Sequence, residues 1–383
     1  MTGPIEVRPL SGAAEFTTFI QLPRKLYRGM AGWVAPLDFD RRKTFDPKKN
    51  PFFKHADSER FLAWRDGQPV GRISAQIDHL HIERYSDATG HFGCLDAIDD
   101  AAVVKALLTA AEDWLRAHGM KRINGPFNPS INAEMGMLIE GHTHRPMFLV
   151  PWNPAYLPGH VAAQGYTKEV DTYDYDFDTA REPTTFGTSL LNRGELAGRV
   201  TMRPLRLTKV RDEVRILLGL FNDAWQRNWG FVPFTLDEMD ALGPEMQPIL
   251  RKDSAVIIEV DGKPAAFIFA VPNLMELFSE GFEGQLLPFG WFRLAKSLIW
   301  MPRFRTSRVP LMGVASIYQG SALGAGLAMM AIEEIHRRGR ARGVETVELG
   351  WILEQNLPMR RMIERIGGVK VKTYRIYERS LAP

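Results

Sequence analysis

Two short patterns recur at one fixed distance, and this recurrence limits the folds open to the chain more than any other feature. Val7-Arg8-Pro9-Leu10 returns as Met202-Arg203-Pro204-Leu205, and Asp66-Gly67-Gln68-Pro69 returns as Asp261-Gly262-Lys263-Pro264, each 195 positions later. A fixed period in the same order marks a duplicated unit. Length agrees, because 383 residues exceed what one hydrophobic core commonly organises.

Both copies read alike. A strand (6–10; 201–205) precedes a helical segment (13–27; 211–228), and Asp-Gly between strand-like runs signals a tight hairpin. A helix follows (101–118; 325–342), then another strand. Each copy is expected to close with a helix opened by Asn153 or Asn356 and with its own final strands (168–178; 370–378). Alternating βαβα order behind a hairpin predicts an α/β (α+β) fold, with mixed central sheets flanked by helices. The glycine- and proline-bearing segment 179–199 sets the boundary between a unit at 1–180 and a unit at 181–383. Differences in spacing give the second copy 29 extra residues, near 274–310, and the first copy 21, after its fifth strand.

Several function classes are excluded at this level. The one cysteine, Cys94, forbids an intrachain disulfide or a thiolate metal site. The net charge of +3 is spread along the chain and is no nucleic-acid footprint. There is neither a signal-like start nor an apolar run of the ~18 residues that span a bilayer. The expected location is cytoplasmic, at most peripheral on the inner face of the membrane. His142 and His144 lack an evident third ligand, so no metal is expected.

The stretch from Leu311 to Leu327 reads as a strand, a small-residue turn and a helix start. Helix N-termini carry unpaired N–H groups that suit a phosphate, and small residues allow close approach. Gln319-Gly320-Ser321-Ala322-Leu323-Gly324 resembles the acyl-CoA signature of GNAT acyltransferases, with Ala322 at the first glycine position. The following helix, strand and Asn356-opened helix keep the GNAT order. The resemblance implies acyl-CoA as co-substrate, held by Val314, Gln319, Gly320, Ser321, Ala322, Gly324 and Asn356. The first copy instead carries Asp96, Asp99 and Asp100 at this place, and three carboxylates would repel a pyrophosphate, so it is expected to be cofactor-free.

Within the GNAT superfamily the chain resembles the bacterial ceramide synthase-like family. That resemblance rests on Asn124-Gly125-Pro126-Phe127-Asn128, Glu134-Met135-Gly136-Met137-Leu138, Phe221-Asn222-Asp223-Ala224-Trp225, Leu287-Pro288-Phe289-Gly290-Trp291 and Trp351-Ile352-Leu353-Glu354-Gln355-Asn356. It implies transfer of a long-chain fatty acyl group from a thioester to the amine of a sphingoid base or its 3-keto precursor. The donor is left open between acyl-CoA and an acyl carrier protein. The 286–303 segment has apolar residues at helical spacing beside Arg293, Lys296 and Arg303, which fits either a membrane-surface helix or a buried one.

Amide formation needs a base for the ammonium and support for the oxyanion and the leaving thiolate. Glu348 and Glu354, at even separation, are the candidate carboxylates. The tyrosine that many GNAT enzymes place seven residues after the helix-opening Asn is Ile363 here; Tyr374 is the candidate substitute, with Tyr318 and Tyr377 as alternatives, unless the thiolate leaves without an acid. Asn222, Trp225, Asn228 and Trp229, with Glu134 from the first copy's extra loop, are the candidate acceptor-binding residues. Alternatives are a GNAT enzyme acting on another amine (an aminoacyl transferase using charged tRNA would want a more basic surface) and a non-catalytic acyl-CoA- or lipid-binding module.

Overall fold

A computed structural model describes residues 3–182, 184–191, 198–247, 249–278, 284, 292 and 304–382. Most of the 286–303 segment therefore lies outside the described residues. The first half runs β1 (Ile5–Pro9), α1 (Gly12–Tyr27), α2 (Asp38–Thr44), β2 (Ala56–Arg65), β3 (Gln68–Asp78), α3 (His79–Tyr85), β4 (Thr89–Ala97), α4 (Ala101–Ala117), β5 (Arg122–Gly125), β6 (Met137–Glu140), α5 (Leu157–Ala163) and β7 (Thr167–Asp178). After α6 (Phe186–Leu191) the second half runs β8 (Val200–Pro204), α7 (Val210–Trp225), α8 (Leu236–Met246), β9 (Ala255–Val260), β10 (Lys263–Pro272), β11 (Thr306–Val314), α9 (Ala322–Ala341), β12 (Thr346–Leu353), α10 (Leu357–Arg365) and β13 (Val369–Ser380).

The repeat is visible in local geometry. Asp66-Gly67 and Asp261-Gly262 are two-residue hairpin loops with all four φ angles between 49° and 74°, the left-handed values that a tight hairpin demands. β4 pairs parallel with β5, as β11 does with β12.

The ends of the two copies differ from the sequence expectation. The strands form one 13-stranded sheet in the order β1-β2-β3-β4-β5-β13-β7-β12-β11-β10-β9-β8, with β6 also on β13. Each half's closing strand is therefore exchanged. β13 pairs with β5 of the first half, and β7 pairs with β12 of the second. The two exchanged strands also pair with each other along nine positions, from Val369↔Asp176 to Glu378↔Thr167. This joint removes two edges that separate sheets would expose.

On one sheet face of the second half, α7 buries Val214, Leu217, Leu218 and Phe221, a stripe at helical spacing. α8 begins with a capping box between Thr235 and Glu238. Contacts from the first half hold α8 in place. Lys43 pairs with Glu245 at 2.5 Å and Lys54 with Asp237 at 2.6 Å. His55 lies 3.0 Å from Asp78 and 3.7 Å from Glu238. Burial disfavours the charged imidazole, but Asp78 and Glu238 outweigh it and raise the pKa to about 9. A raised histidine pKa stabilises the fold fully below the unfolded value of ~6.5. That contribution fades as pH climbs to about 9. Denaturation midpoints should show wild type losing its advantage over His55→Gln across this window. An advantage that stays constant with pH would refute the tie.

Candidate active site

β11 and β12 are hydrogen-bonded only from Thr306↔Thr346 to Val309↔Leu349, and then they part. β11 continues along β10 to Val314, leaving a wedge-shaped gap on its other side. The Ala315 N–H donates to the Ala265 carbonyl at 2.8 Å. Antiparallel pairs alternate between bonded and non-bonded. The polar groups of Met312 and Val314 consequently face the gap rather than β10. Two side chains occupy the carbonyls there: Trp225 Nε1 donates to Met312 O, and Gln319 Nε2 to Val314 O, each at 2.9 Å. The Val314 N–H, directed into the same gap, is placed to meet a ligand oxygen.

Beyond Val314 the chain turns tightly into α9. Gly320 sits at φ +73°, and the Ser321 hydroxyl caps the helix by accepting from the Gly324 N–H at 3.0 Å. Ala322 is not among the residues with positive φ, so its Cβ is no obstacle. A Cβ on Gly324 would stand 2.1 Å from the Tyr318 carbonyl oxygen, so only glycine allows this turn. Gln319 also donates to Ala224 O at 2.9 Å and thus braces the turn. Asp223 accepts from the Ser316 N–H at 2.6 Å and its hydroxyl at 2.7 Å, a second brace that motif spacing alone did not disclose. Asn356 caps α10 through the Met359 N–H at 3.2 Å.

The corresponding gap of the first half is filled by its own chain. β4 and β5 part after His91↔Asn124. The Phe127 N–H then donates to Phe92 O at 2.8 Å, and the Cys94 N–H to Asn128 Oδ1 at 2.7 Å. This plugging loop carries Glu134 towards the joint between the halves, where it pairs with Arg41.

A cavity of about 500 Å³ lies between the sheet and helices α7 and α8, a volume typical of a ligand site. Its wall is mainly apolar, with Leu217, Phe221, Phe267, Phe269 and Leu311 among the lining residues. Trp225, Asn228, Trp229 and Glu134 line it too. Asn222 does not: it clamps Phe234 by two 2.9 Å hydrogen bonds to the backbone N–H and carbonyl. A smaller cavity of about 120 Å³, in the first half, also reaches Arg41, Asn128 and Glu134 and is lined by Lys372 and Tyr374.

Charged side chains from four strands form a buried row, of which Arg308 lines the larger cavity and Lys372 the smaller. Lys372 Nζ is 2.6 Å from Glu348 Oε2, and Arg308 Nε is 3.6 Å from Glu348 Oε1. All three are at most 3% exposed, and Asp174 is fully buried beside them. Burial pushes the Asp174 carboxyl well above the ordinary range, the Glu348 charge adds to this, and Arg308 and Lys372 oppose it. Burial, with Asp174 and Glu348, likewise holds the Tyr374 phenol well above its usual value. Glu348 and Tyr374 are thus brought together, whereas Glu354 is not. It lies past the end of β12, where it accepts from the Asp171 N–H at 3.1 Å and pairs with Lys168 at 2.6 Å. The bulge between Leu349 and Ile352 breaks the even spacing that would have placed Glu348 and Glu354 on one face.

His144, Asp176 and Glu348 are near enough to share a cation, a grouping that the spacing of His142 and His144 did not reveal. Cations already serve these carboxylates, however: Arg145 pairs with Asp176 and Lys372 with Glu348. Among the described residues no helix is long and apolar enough to cross a membrane.

No protein-family profile matches the chain. Its fold is shared by a tandem GNAT protein from the clavulanic acid biosynthesis pathway, with a TM-score of 0.58, 13% identity and 99% of both chains covered. A GCN5-related N-acetyltransferase from Sphaerobacter thermophilus matches with a TM-score of 0.51 and 11% identity over 100% of this chain and 98% of that one. The fold is therefore a tandem GNAT fold. In sequence, the chain is 38% identical over 381 residues to the protein named bacterial ceramide synthase from Caulobacter vibrioides, covering 98% of each. It is also 38% identical over 379 residues to Protein YghO from Escherichia coli, covering 98% of this chain and 95% of that one. The chain belongs to the bacterial ceramide synthase-like family of GNAT acyltransferases and is an N-acyltransferase.

Proposed function

We propose that this enzyme transfers a long-chain fatty acyl group from acyl-CoA to the amine of a sphingoid base or its 3-keto precursor. The observation that carries the reading is the largely apolar cavity of about 500 Å³ beside the β11–β12 gap, space suited to hydrocarbon rather than to an acetyl group alone. The name of the Caulobacter relative supports the acceptor class. In this reading residues 181–383 bind acyl-CoA. The pyrophosphate lies against Gly320, Ser321, Ala322 and Gly324, Gln319 and Asn356 hold the surrounding turns, and the Val314 N–H meets the thioester oxygen. Residues 1–180 form the cofactor-free half, which delivers Glu134 to the acceptor. Trp225, Asn228 and Trp229 bound the acceptor cavity, with Asn222 positioning the loop behind them. The insert near 274–310 would give peripheral contact with a membrane from the cytoplasmic side.

The chemistry follows from the buried row. The amine nitrogen attacks the thioester carbonyl carbon, the N–C bond forms, and the C–S bond breaks. The proton that the amine loses passes to Asp174, whose carboxyl is held well above the ordinary carboxylate range by burial and by the Glu348 charge, and from there to the leaving thiolate. Tyr374 stays protonated and donates a hydrogen bond to that thiolate. Full proton transfer from a phenol held above its usual pKa to a thiolate of pKa ~8.5 would be uphill. Glu354 steadies β7 against the end of β12.

Incubating the purified protein with palmitoyl-CoA and sphingosine or 3-ketosphinganine should release free thiol and N-acyl product in equal amounts. Acyl-CoA hydrolysis without amide, or no acyl-CoA binding, would reject the proposal.

A further inference from the structure

We propose that Arg308 and Trp351 recognise an oxygen on the carbon adjacent to the reacting amine, so that the enzyme selects vicinally oxygenated amines over plain alkylamines. This rests on the acyl-transfer reading above and assigns the residues that set acceptor class.

Both side chains line the large cavity at the point where β11 and β12 part. Arg308 is 0% exposed. Its Nη1 donates to the Leu149 carbonyl at 3.0 Å, which anchors one end of the guanidinium. Nε and Nη2 find no hydrogen-bond partner among the described residues, and neither does Trp351 Nε1. Glu348 Oε1, at 3.6 Å from Nε, attracts the charge but is too distant for a hydrogen bond. The guanidinium carbon lies 4.7 Å from the centre of the indole ring, so each group fixes the other's orientation.

Guanidinium and indole are donors only, so the partner they lack is an acceptor. A buried donor left without an acceptor forfeits the hydrogen bonds that it made to water. The Asp174 and Glu348 carboxyls beside Arg308 lie within side-chain hydrogen-bond reach of each other and, in the reading above, receive the amine. The unmet demand is therefore for an oxygen next to that amine. An amine with a hydroxyl or keto oxygen on the adjacent carbon supplies it, and a plain alkylamine does not. A ligand carboxylate would add a third acid to a row in which Asp174 and Glu348 already face Arg308 and Lys372.

The test compares octadecylamine, its analogue with a hydroxyl on the neighbouring carbon, and its α-carboxylate analogue, each with palmitoyl-CoA. Wild type should favour the hydroxylated amine in kcat/KM by at least about 100-fold, as sites built around a hydrogen bond do. Trp351→Phe keeps the ring over Arg308 and removes one N–H. It should lower kcat/KM for the hydroxylated amine about tenfold and leave octadecylamine within about twofold. Arg308→Lys keeps a charge facing Glu348 but lies in the row that handles the proton, so it should slow both amines and slow the hydroxylated amine about tenfold more. Equal use of both amines, equal slowing of both by the variants, or preference for the α-carboxylate analogue would overturn the inference. Dissociation constants for the three amines, measured by calorimetry, read the same preference without turnover. Their equality would refute the oxygen site. A preserved difference alongside absent acylation would instead reject the transferase reading and leave the oxygen site standing.

Discussion

Gly324→Glu should weaken palmitoyl-CoA binding by at least about 100-fold, roughly 2.8 kcal/mol, while the protein remains folded. Two effects add. Any Cβ at this position would stand 2.1 Å from the Tyr318 carbonyl oxygen, so the turn at 318–324 must move away from β11. The new carboxylate then sits in the first turn of α9, where an anion of the coenzyme would otherwise meet unpaired N–H groups. A glutamate near a helix N-terminus is itself favourable for the helix, so the added charge costs binding, while the displaced turn costs both binding and some stability. Gly324→Ala separates the causes. It moves the turn without adding charge and should cost about tenfold. Calorimetric titration with palmitoyl-CoA, alongside circular dichroism to confirm the fold, measures both variants. Full affinity in the glutamate variant would remove the turn from the coenzyme site.

The second large effect is on stability. Lys372→Met should destabilise the fold by about 3–5 kcal/mol, the usual cost of removing one partner from a buried ion pair. Lys372 is 3% exposed and lies 2.6 Å from a Glu348 carboxylate that is itself fully buried. Without the ammonium, Glu348 and Asp174 share a dry site with Arg308 as their cation. Adding Glu348→Gln to Lys372→Met removes the stranded charge and should restore most of the loss, although activity would not return. Urea denaturation of wild type and both variants gives the comparison. A loss below about 1 kcal/mol in the single variant would mean that the row is wetter than its burial implies.

What could be read from the sequence was local. The two Asp-Gly hairpins, the helices closing near residues 118 and 342, and the small-residue turn before α9 are each fixed by residues a few positions apart. The strand exchange was not legible. β7 and β13 are each 12 residues long, and either could have completed either sheet by pattern alone. The buried row was only half legible. Glu348 and Tyr374 were identified as candidates, but Asp174, Arg308 and Lys372 come from three separate strands and acquire meaning only when the sheet assembles. Glu354 and Asn222 show the opposite case. The even separation of Glu348 and Glu354 suggested a shared face, which a bulge in β12 breaks, and Asn222, read as an acceptor-binding residue, is turned to clamp Phe234 instead.

The exchanged strands also bear on how this chain can be made. β5 is complete by residue 125, yet one of its neighbours is β13, residues 369–380. A ribosome therefore emits the whole first half with a strand edge that nothing nearby in the nascent chain covers, and the edge stays open until almost all of the second half has followed. Synthesis halted before Val369 would leave β5 and β7 both without that neighbour. Domains usually fold in order of their emergence. Here the half that appears first is the half that must wait.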